Sequence, residues 1–336
     1  MNFFTIFTLG YIILAVVLIY IIYRDQRQPT ILFGRHKFSA WCLIVFLFFT
    51  SLIAYYTRFI EPFNISTKQE VIKIANLKRP IKIAFITDPQ LNRFKTDKWV
   101  EIIVQKTDAL SPDLIIFGGD MISNGGYFYD TGNDSIGDED GFLYGFSNLT
   151  KKYLNYYILG NHEYGLGNSS RRNSDKWTGD HSTEVTMAMD EIGSKSLANN
   201  LACLEIDNQK ICLFGINDIW ADEANLTNID FSALKNWDQK IPLVFITHNP
   251  DGILYWPKNI KKPDLILAGH SHGGQIFLPF FGPLGDAGIN LGKQYYRGLN
   301  YYDGTPIYTS NGLGESGGPI RFMAAPELTT IILTEK

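Results

Sequence analysis

The sequence predicts an α/β domain, layered as an αββα sandwich and preceded by a two-helix transmembrane hairpin. Three observations predict this fold class. Two long uncharged segments open the chain, short β-rich runs recur after them, and amphipathic or polar stretches that suit helices separate those runs. Because several of the runs are continuously apolar, we expect strands that are covered on both faces.

The composition excludes several protein classes. With 336 residues, of which 45% are hydrophobic, the chain can bury a substantial core, so disorder is not expected. A net charge of -4 leaves no broad basic surface, and we therefore expect no nucleic-acid partner. Three cysteines are too few for a disulfide scaffold or a thiolate zinc site.

The first two elements are predicted membrane spans. Residues 3–23 carry no charge, and at about 1.5 Å rise per residue they can cross a bilayer core of about 30 Å. A second uncharged run, residues 39–56, has Trp41, Tyr55 and Tyr56 near its ends, as is typical of interfacial aromatic residues. A cleaved signal peptide is less compatible with the first run, because no basic residue precedes it and no small-residue cleavage site follows.

The link between the two spans predicts the orientation of the hairpin. It is rich in basic residues, although Arg58, Lys68 and Lys73 beyond the second span reduce the asymmetry. The charged residues of the link are Arg24, Asp25, Arg27, Arg35 and Lys37. Because basic loops stay in the cytoplasm, we expect a multi-pass protein of the bacterial inner (cell) membrane with its main domain outside the cytoplasm.

After the hairpin of residues 1–60, we expect a connecting segment, residues 61–79, and a main domain, residues 80–336. Within this domain, residues 97–109 and 184–192 suit helices. Five apolar runs each end in a polar cluster. These clusters contain Asp88 with Gln90; Asp120; Asn161, His162 and Glu163; His248; and His270 with His272.

The five clusters together predict a metal site. Taken singly, Asp88 is compatible with a helix N-cap, Asn161 with a turn and His248 with a satisfied core histidine. Packing does not explain why oxygen and imidazole ligands recur at five strand ends, where open α/β sheets bind their ligands. A dinuclear metal centre requires this arrangement, and its mixed ligands suit Mn²⁺, Fe²⁺ or Zn²⁺ better than Mg²⁺ or Ca²⁺.

The order of these motifs resembles that of the calcineurin-like metallophosphoesterases, whose pattern is D-x-H, GD, GNH[DE], H and GH-x-H. Here the pattern reads DPQ, GGD, GNHE, THNPD and GHSHGGQ, and the resemblance covers residue 81 to the C-terminus. It implies a phosphatase-type hydrolase with two divalent metal ions bridged by Asp120. The implied ligands are Asp88 and His272 for the first ion, and Asn161, His248 and His270 for the second.

The resemblance also assigns catalytic residues and exposes one departure. It implies that His162 is a general acid or transition-state stabiliser and that Glu163 holds the ring of His162. Gln90 stands where most members of the family carry a histidine, and an amide oxygen is a weaker donor than an imidazole. A site of lower affinity, a one-metal enzyme and a decayed site are all compatible with Gln90.

The membrane anchor indicates the substrate class. It raises the local concentration of membrane substrates, so we expect a phosphorylated lipid or small molecule, such as a cell-envelope precursor. The anchored members of the superfamily are similar to enzymes that act on such precursors, including the hydrolases of UDP-2,3-diacylglucosamine in lipid A synthesis. That substrate is cytoplasmic, which conflicts with the predicted orientation. A non-catalytic binding protein that retains the fold is the alternative from another class.

Two further segments have open interpretations. Cys203 and Cys212 lie opposite each other in a predicted hairpin, and both a disulfide and two free thiols are compatible with that arrangement. Residues 165–181 form a polar stretch after GNHE, in which Arg171 and Arg172 would attract an anionic substrate or would belong to a plain surface loop.

Overall fold

The computed structural model describes residues 3–27, 37–92, 95–123, 141–167 and 179–336. The helices are α1 (Phe3–Arg27), α2 (Lys37–Tyr55), α3 (Asp97–Leu110), α4 (Ser147–Lys152), α5 (Ser182–Glu191) and α6 (Ile219–Glu223). The strands are β1 (Ser66–Ile74), β2 (Ile81–Ile86), β3 (Leu114–Gly118), β4 (Leu154–Ile158), β5 (Lys195–Ser196), β6 (Asn200–Ile206), β7 (Gln209–Gly215), β8 (Leu243–Ile246), β9 (Leu265–Ala268), β10 (Phe277–Leu278), β11 (Gly282–Pro283), β12 (Gly298–Tyr302), β13 (Thr305–Thr309) and β14 (Glu327–Glu335).

Two six-stranded sheets form the centre of the domain. The first has the order β1-β14-β2-β3-β4-β5, and the second has the order β12-β13-β9-β8-β7-β6. Strands β2, β3 and β4 are parallel neighbours in the first sheet, and β7, β8 and β9 are parallel neighbours in the second. The carboxyl ends of each parallel set therefore meet at one edge of their sheet.

The core has the layers that the sequence predicts. Ile83 and Phe85 of the first sheet share a buried cluster with Val244 and Leu267 of the second, so the inner faces of the sheets pack together. A separate cluster joins the outer faces to the helices and includes Trp99 of α3. The αββα arrangement is confirmed. It arises because the central strands β3, β8 and β9 are buried along their whole length, with apolar side chains on both faces.

The hairpin of α1 and α2 has the length and composition of two membrane spans, Phe4–Asp25 and Phe38–Phe63. Only 17% and 11% of their most apolar windows are buried within the described part of the chain, so the described residues leave most of their apolar surface uncovered. The helices contact each other through a small apolar cluster and through a hydrogen bond of 2.6 Å between Tyr11 Oη and Thr50 Oγ1. The second span extends beyond the predicted end at Tyr56, because a π-helical turn continues α2 to Ile60.

The predicted connecting segment is not a plain connector. It contains β1, which pairs in parallel with β14 along all nine residues. The sequence obscured this strand because β1 lies at the edge of its sheet and most of its side chains are exposed or half-buried. The first sheet therefore begins close to the hairpin of α1 and α2.

Among the described residues, three hydrogen bonds join the end of the hairpin to the α/β domain. The backbone N–H of Arg321 donates to Thr57 O at 2.9 Å, and that of Ala324 donates to Glu61 Oε1 at 2.8 Å. The ammonium group of Lys95 donates to Pro62 O at 2.6 Å. These contacts hold the segment before β14 against the end of the second span.

Strands β6 and β7 form the predicted hairpin, and a disulfide joins Cys203 to Cys212. The two cysteines are directly opposed in the antiparallel register. The turn residues Asp207 and Asn208 have φ angles of 49° and 59°, which two-residue turns of type I′ require. Of the two interpretations of the cysteines, the structure therefore contains the disulfide.

We expect the double substitution Cys203→Ser/Cys212→Ser to lower the free energy of unfolding by about 2–3 kcal/mol, because a disulfide that closes a short loop restricts the unfolded chain by roughly that amount. The loss is measured as a lower thermal midpoint of the detergent-purified protein. Cys42→Ser is the matched control, since Cys42 is free and exposed. Equal midpoints for the double variant and the control would contradict the prediction.

Candidate metal centre

The polar clusters that follow five strands converge on one place. Asp88, Asp120 and Asn161 follow β2, β3 and β4 in the first sheet. His248 and His270 follow β8 and β9 in the second. Because the two sheets pack face to face with these strand ends at a common edge, side chains far apart in the sequence face each other.

Two groups of side chains could each hold a metal ion. The first comprises Asp120, His248 and His270, and the second comprises Asp88, Asp120 and His272. Within each group the ligand atoms lie within 4.8 Å of one another, and all five residues are buried. Asp120 belongs to both groups, which is the position of a bridging carboxylate. Asp88 and His272 fall in one group and His248 and His270 in the other, while Asn161, which the resemblance also implies for the second ion, is in neither group.

Backbone carbonyls orient two of the imidazole rings. His248 Nδ1 lies 2.8 Å from Gly118 O, and His272 Nδ1 lies 2.8 Å from Gly314 O. A neutral ring that donates from Nδ1 has its lone pair on Nε2. The two Nε2 atoms lie 3.1 Å from Asp120 and 3.5 Å from Asp88, respectively. In their neutral form, both rings therefore direct the lone pair of Nε2 toward the carboxylates, which is the orientation of metal-ligating histidines.

His270 fits the second group by a different arrangement. Its Nδ1 lies 2.8 Å from Asn161 Oδ1, and its Nε2 lies 2.9 Å from Ala287 O. A neutral imidazole has one N–H, so it can donate to only one of these two acceptors. If Nε2 donates to Ala287, then Nδ1 and the Asn161 oxygen are two electron-pair donors that face each other. A cation shared by both atoms would remove this mismatch.

Gln90 lies inside the centre and not at its margin. Its side chain is fully buried, and its Nε2 donates to Asp120 Oδ2 at 3.0 Å. Its Oε1 has no hydrogen-bond partner among the described residues. An unsatisfied buried amide oxygen is unfavourable, and coordination of a metal ion or of a water molecule would satisfy it.

We expect Gln90→His to decrease by about tenfold the Mn²⁺ concentration that gives half-maximal activity, because imidazole is a stronger donor than an amide. The measurement is a Mn²⁺ titration of aryl phosphodiester hydrolysis. Gln275→His is the matched control, since the Gln275 amide already bonds to Gly318 O and to the N–H of Ser316. An unchanged Mn²⁺ requirement in Gln90→His would contradict a ligand role for this position.

The GNHE cluster supplies a side chain that lines the cleft and another that holds the backbone. His162 Nε2 lies 3.8 Å from Asp120 Oδ2 and 3.2 Å from Ser316 Oγ. The Glu163 carboxylate accepts hydrogen bonds from the backbone N–H groups of Asp120, Ile122 and Gly160. The structure therefore gives Glu163 a different task from the predicted contact with the His162 ring. It ties the turn after β4 to the turn after β3.

Burial and neighbouring charges shift the pKa values of the centre in opposite directions. Burial raises the pKa of Asp88 to about 6 and lowers that of His270 to about 3. For Asp120 the effect of burial is outweighed by the charge of His248, so its pKa lies below the ordinary value. The same carboxylate outweighs the effect of burial on His248 and raises the pKa of that ring. A metal ion would therefore compete with the proton of His248.

The backbone at the centre is strained. Five of its non-glycine residues have positive φ angles between 50° and 70°, namely Asp88, Gln90, Asp120, His270 and His272. This left-handed conformation is uncommon for residues with a Cβ atom and persists only where the surrounding structure imposes it. Strain of this kind is typical of functional sites, and it fixes the directions of the ligand side chains.

Gly269 leaves the space that Asp88 occupies. A Cβ atom at residue 269 would lie 2.3 Å from Asp88 Oδ2 and 2.2 Å from Thr87 Oγ1. We expect Gly269→Ala to displace Asp88 and to reduce activity by about 10²-fold, since small misplacements of catalytic groups have effects of that size. The rate of aryl phosphodiester hydrolysis tests this. Gly10→Ala is the control, since Gly10 has the ordinary backbone of helix α1 and no neighbouring atom within 4 Å of its Cβ position.

The centre opens into a cleft of about 290 Å³ that is lined by Asp120, Asn161, His162 and His270, among others. The ring of Trp220 packs edge-on against His270, with ring centroids 4.5 Å apart. Arg171 and Arg172, the predicted attractants for an anionic substrate, lie outside the described residues.

Sequence reasoning missed the buried charges behind the ligands. Arg321 is fully buried and donates to the carbonyl oxygens of His272, Ala324 and Gly314, among others. Glu315 lies between Arg321 and Lys95, at 3.3 Å and 3.4 Å. Because Gly314 O also accepts from His272, Arg321 supports a metal-ligand candidate through one shared carbonyl. No sequence pattern distinguishes these residues from surface charges.

Comparison with known proteins agrees with this geometry. Residues 81–274 match the family model described as calcineurin-like phosphoesterase. The chain is 28% identical over 285 residues to the uncharacterized metallophosphoesterase YkuE of Bacillus subtilis, covering 83% of this chain and 88% of that protein. It is 26% identical over 261 residues to the phosphodiesterase YaeI of Escherichia coli, covering 76% and 82%.

A third relative carries a membrane description. The transmembrane protein with metallophosphoesterase domain of Bos taurus is 27% identical over 270 residues, which cover 75% of this chain and 53% of that protein. The family match spans more than half of the present chain and includes the five polar clusters. On this match and on the Asp/His groups at the strand ends, the chain belongs to the calcineurin-like phosphoesterase family and is a hydrolase.

Proposed function

We propose that the chain is a membrane-anchored, metal-dependent phosphohydrolase that cleaves a phosphoester or pyrophosphate bond in a lipid or cell-envelope precursor. The observation that carries the proposal is the convergence of buried carboxylates and imidazoles from four strand ends, those of β2, β3, β8 and β9, into two groups that share Asp120. In this proposal the hairpin is the anchor and residues from β1 onward form the catalytic unit.

The residues of the centre would hold two divalent ions, of which Mn²⁺, Fe²⁺ and Zn²⁺ suit the donor set. When bound, two such ions stabilise the negative charge of phosphoryl transfer and lower the pKa of water. The proposed ligands are Asp88, Gln90, Asp120 and His272 for the first ion, and Asp120, Asn161, His248 and His270 for the second. Gly118 and Gly314 set the tautomers of two of these rings by accepting hydrogen bonds.

His162 and Glu163 are proposed to act beside the metal ligands. His162 lines the cleft. When its Nε2 is protonated, it can donate a hydrogen bond to a phosphoryl oxygen or to the leaving-group oxygen of the substrate. Glu163 keeps His162 and Asp120 in position through the backbone bonds described above. We therefore assign Glu163 a positioning role.

Besides the phosphorylated substrate, the proposed partner of the chain is the lipid bilayer. Two apolar helices of membrane length and the description of the Bos taurus relative support an anchor in a membrane. The basic residues Arg24 and Arg27 at the end of α1 support a cytoplasmic hairpin turn, with the catalytic domain on the outer side of a bacterial inner membrane. A reporter protein fused after Lys336 tests this orientation, because a domain that faces the cytoplasm would make a periplasm-dependent reporter inactive.

Hydrolysis of an aryl phosphodiester and an aryl monoester by the detergent-purified protein with Mn²⁺ tests the activity. We expect turnover that His162→Ala reduces by about 10²–10⁴-fold, the range for loss of a proton-transferring side chain. His181→Ala is the matched control, since His181 lies outside the five clusters. Absence of hydrolysis with bound metal would favour the non-catalytic alternative, and selective hydrolysis of UDP-2,3-diacylglucosamine would identify the lipid A alternative.

A further inference from the structure

The turn between β10 and β11 exposes an apolar surface that no described part of the chain covers. Phe280 is fully exposed, Phe281 is 79% exposed and Leu284 is 56% exposed. We refer to residues 279–284 as the apolar tip. Single apolar side chains are common on protein surfaces, but consecutive exposed aromatic residues are typical of a contact with a membrane or another protein.

The conformation of Phe280 gives the tip a second unusual property. Its φ angle is 70°, in the left-handed region that glycine adopts without steric conflict. A bulky side chain in this region is strained, and here the side chain also gains no packing from the residues that the structure describes. Neither backbone geometry nor burial within the protein explains a phenylalanine at this position, which points to a contact outside the chain.

The base of the tip is connected to the end of the second membrane span. Phe277 N donates to Phe322 O at 2.8 Å, and Phe322 N donates to Gln275 O at 3.0 Å. The preceding residue, Arg321, donates its N–H to Thr57 O within the span, and Ala324 donates to Glu61. One short segment therefore contacts the tip and the membrane helix at adjacent residues, so the tip lies beside the end of the span.

The neighbouring surface is also suited to a membrane interface. The ring of Phe4, at the start of the first span, lies against Gly318. Met323, in the segment before β14, is 49% exposed, and Ile60, near the end of the second span, is 45% exposed. Lys293 is exposed and its ammonium group bonds to Pro283 O at 3.0 Å, at the base of the tip. A basic group next to apolar side chains is the pattern expected at the level of lipid headgroups.

We propose that the apolar tip inserts into the same bilayer that holds α1 and α2, as a third membrane contact. The cleft lining includes Gly274 and Gln275 before the tip and Gly285 and Asp286 after it. Insertion therefore places the mouth of the cleft at the bilayer surface, where the phosphate groups of lipids lie. The inference rests on the proposed membrane anchor and deepens the proposed function by giving lipid-linked phosphoesters direct access to the site.

Spin labels on the full chain in phosphatidylethanolamine/phosphatidylglycerol nanodiscs test the proposal. In a Cys42→Ser background, Phe280→Cys is labelled with a nitroxide, and its collision rates with oxygen and with a water-soluble nickel complex are compared. Tyr301→Cys is the matched control, because Tyr301 is an aromatic residue that is 63% exposed. It lies in a surface groove with Ile74 and Ala75, at the end of β1 remote from the membrane hairpin.

We expect the oxygen-to-nickel ratio at residue 280 to exceed that at residue 301 by at least about threefold, as for a side chain in the acyl region. A label at Asp286→Cys, at the mouth of the cleft, should give an intermediate ratio. A ratio at residue 280 equal to the control overturns insertion, and low collision with both reagents would indicate a second copy over the tip and overturn it too. Because the measurement needs no turnover, a failure of hydrolysis is distinguishable from a failure of insertion.

Discussion

Replacing Asp120 with asparagine is expected to reduce phosphodiester hydrolysis by at least about a thousandfold and to abolish stoichiometric metal binding, because electrostatic stabilisation by a metal pair depends on its bridging charge. Asp120 is the member that the two candidate metal groups share. The asparagine side chain keeps the size of aspartate, but it has one oxygen in place of two and no charge. Its nitrogen would face either the N–H of His162 or the amide of Gln90, both of which donate to Asp120.

Asp251→Asn separates the metal effect from a general effect on folding. Asp251 is as deeply buried as Asp120 and accepts backbone hydrogen bonds from Asn290 and Leu291, but it belongs to neither metal group. We expect this control to retain its metal content, measured by mass spectrometry of the purified protein, and most of its activity. Full activity and normal metal content in Asp120→Asn would contradict the assignment of Asp120 as the bridging ligand.

Arg321→Met is expected to lower the free energy of unfolding by about 3–5 kcal/mol, the range for removing one partner from a buried ion pair. The guanidinium group is fully buried, and it serves Glu315 together with several backbone carbonyls of the segment before β14. Methionine would remove the donor of these carbonyls and leave Lys95, at 3.4 Å, as the remaining described cation beside Glu315. A lower thermal midpoint of the full chain in detergent, by about 10 °C, measures the loss.

Arg297→Met is the matched control for this prediction. Arg297 is half-buried and donates to a single described backbone carbonyl, that of Met323. We therefore expect a shift of the midpoint of a few degrees at most for Arg297→Met. Similar midpoints for Arg321→Met and the wild-type chain would show that the buried network contributes little to stability.

Local sequence patterns were sufficient to predict helices α3 and α5, the strands that precede the polar clusters, and the candidate metal-donor residues. The predicted helices of residues 97–109 and 184–192 correspond to α3, Asp97–Leu110, and α5, Ser182–Glu191. The five polar clusters follow β2, β3, β4, β8 and β9, as predicted. These features are predictable because an apolar run marks a buried strand, and the polar residue that follows it marks the end of that strand.

Patterns failed where a residue depends on distant neighbours. Edge strand β1 was taken for a connector, because its pairing with β14 involves residues about 260 positions away. Glu163 was expected to hold the His162 ring, whereas its carboxylate binds the backbone of two turns. Arg321 carried no signal at all, since a buried arginine and a surface arginine look alike in a sequence.

The sequence by itself determined the two apolar helices of membrane length, the αββα domain, the family and the set of metal-ligand candidates, because each of these depends on composition or on spacing along the chain. The tertiary structure decided that Asp120 lies between the two candidate groups and that Gln90 faces it from inside the centre. It also joined the cleft, the apolar tip and the end of the membrane span through one short segment before β14. These relations arise from the parallel packing of strand ends and from hydrogen bonds between distant segments, which no local pattern encodes.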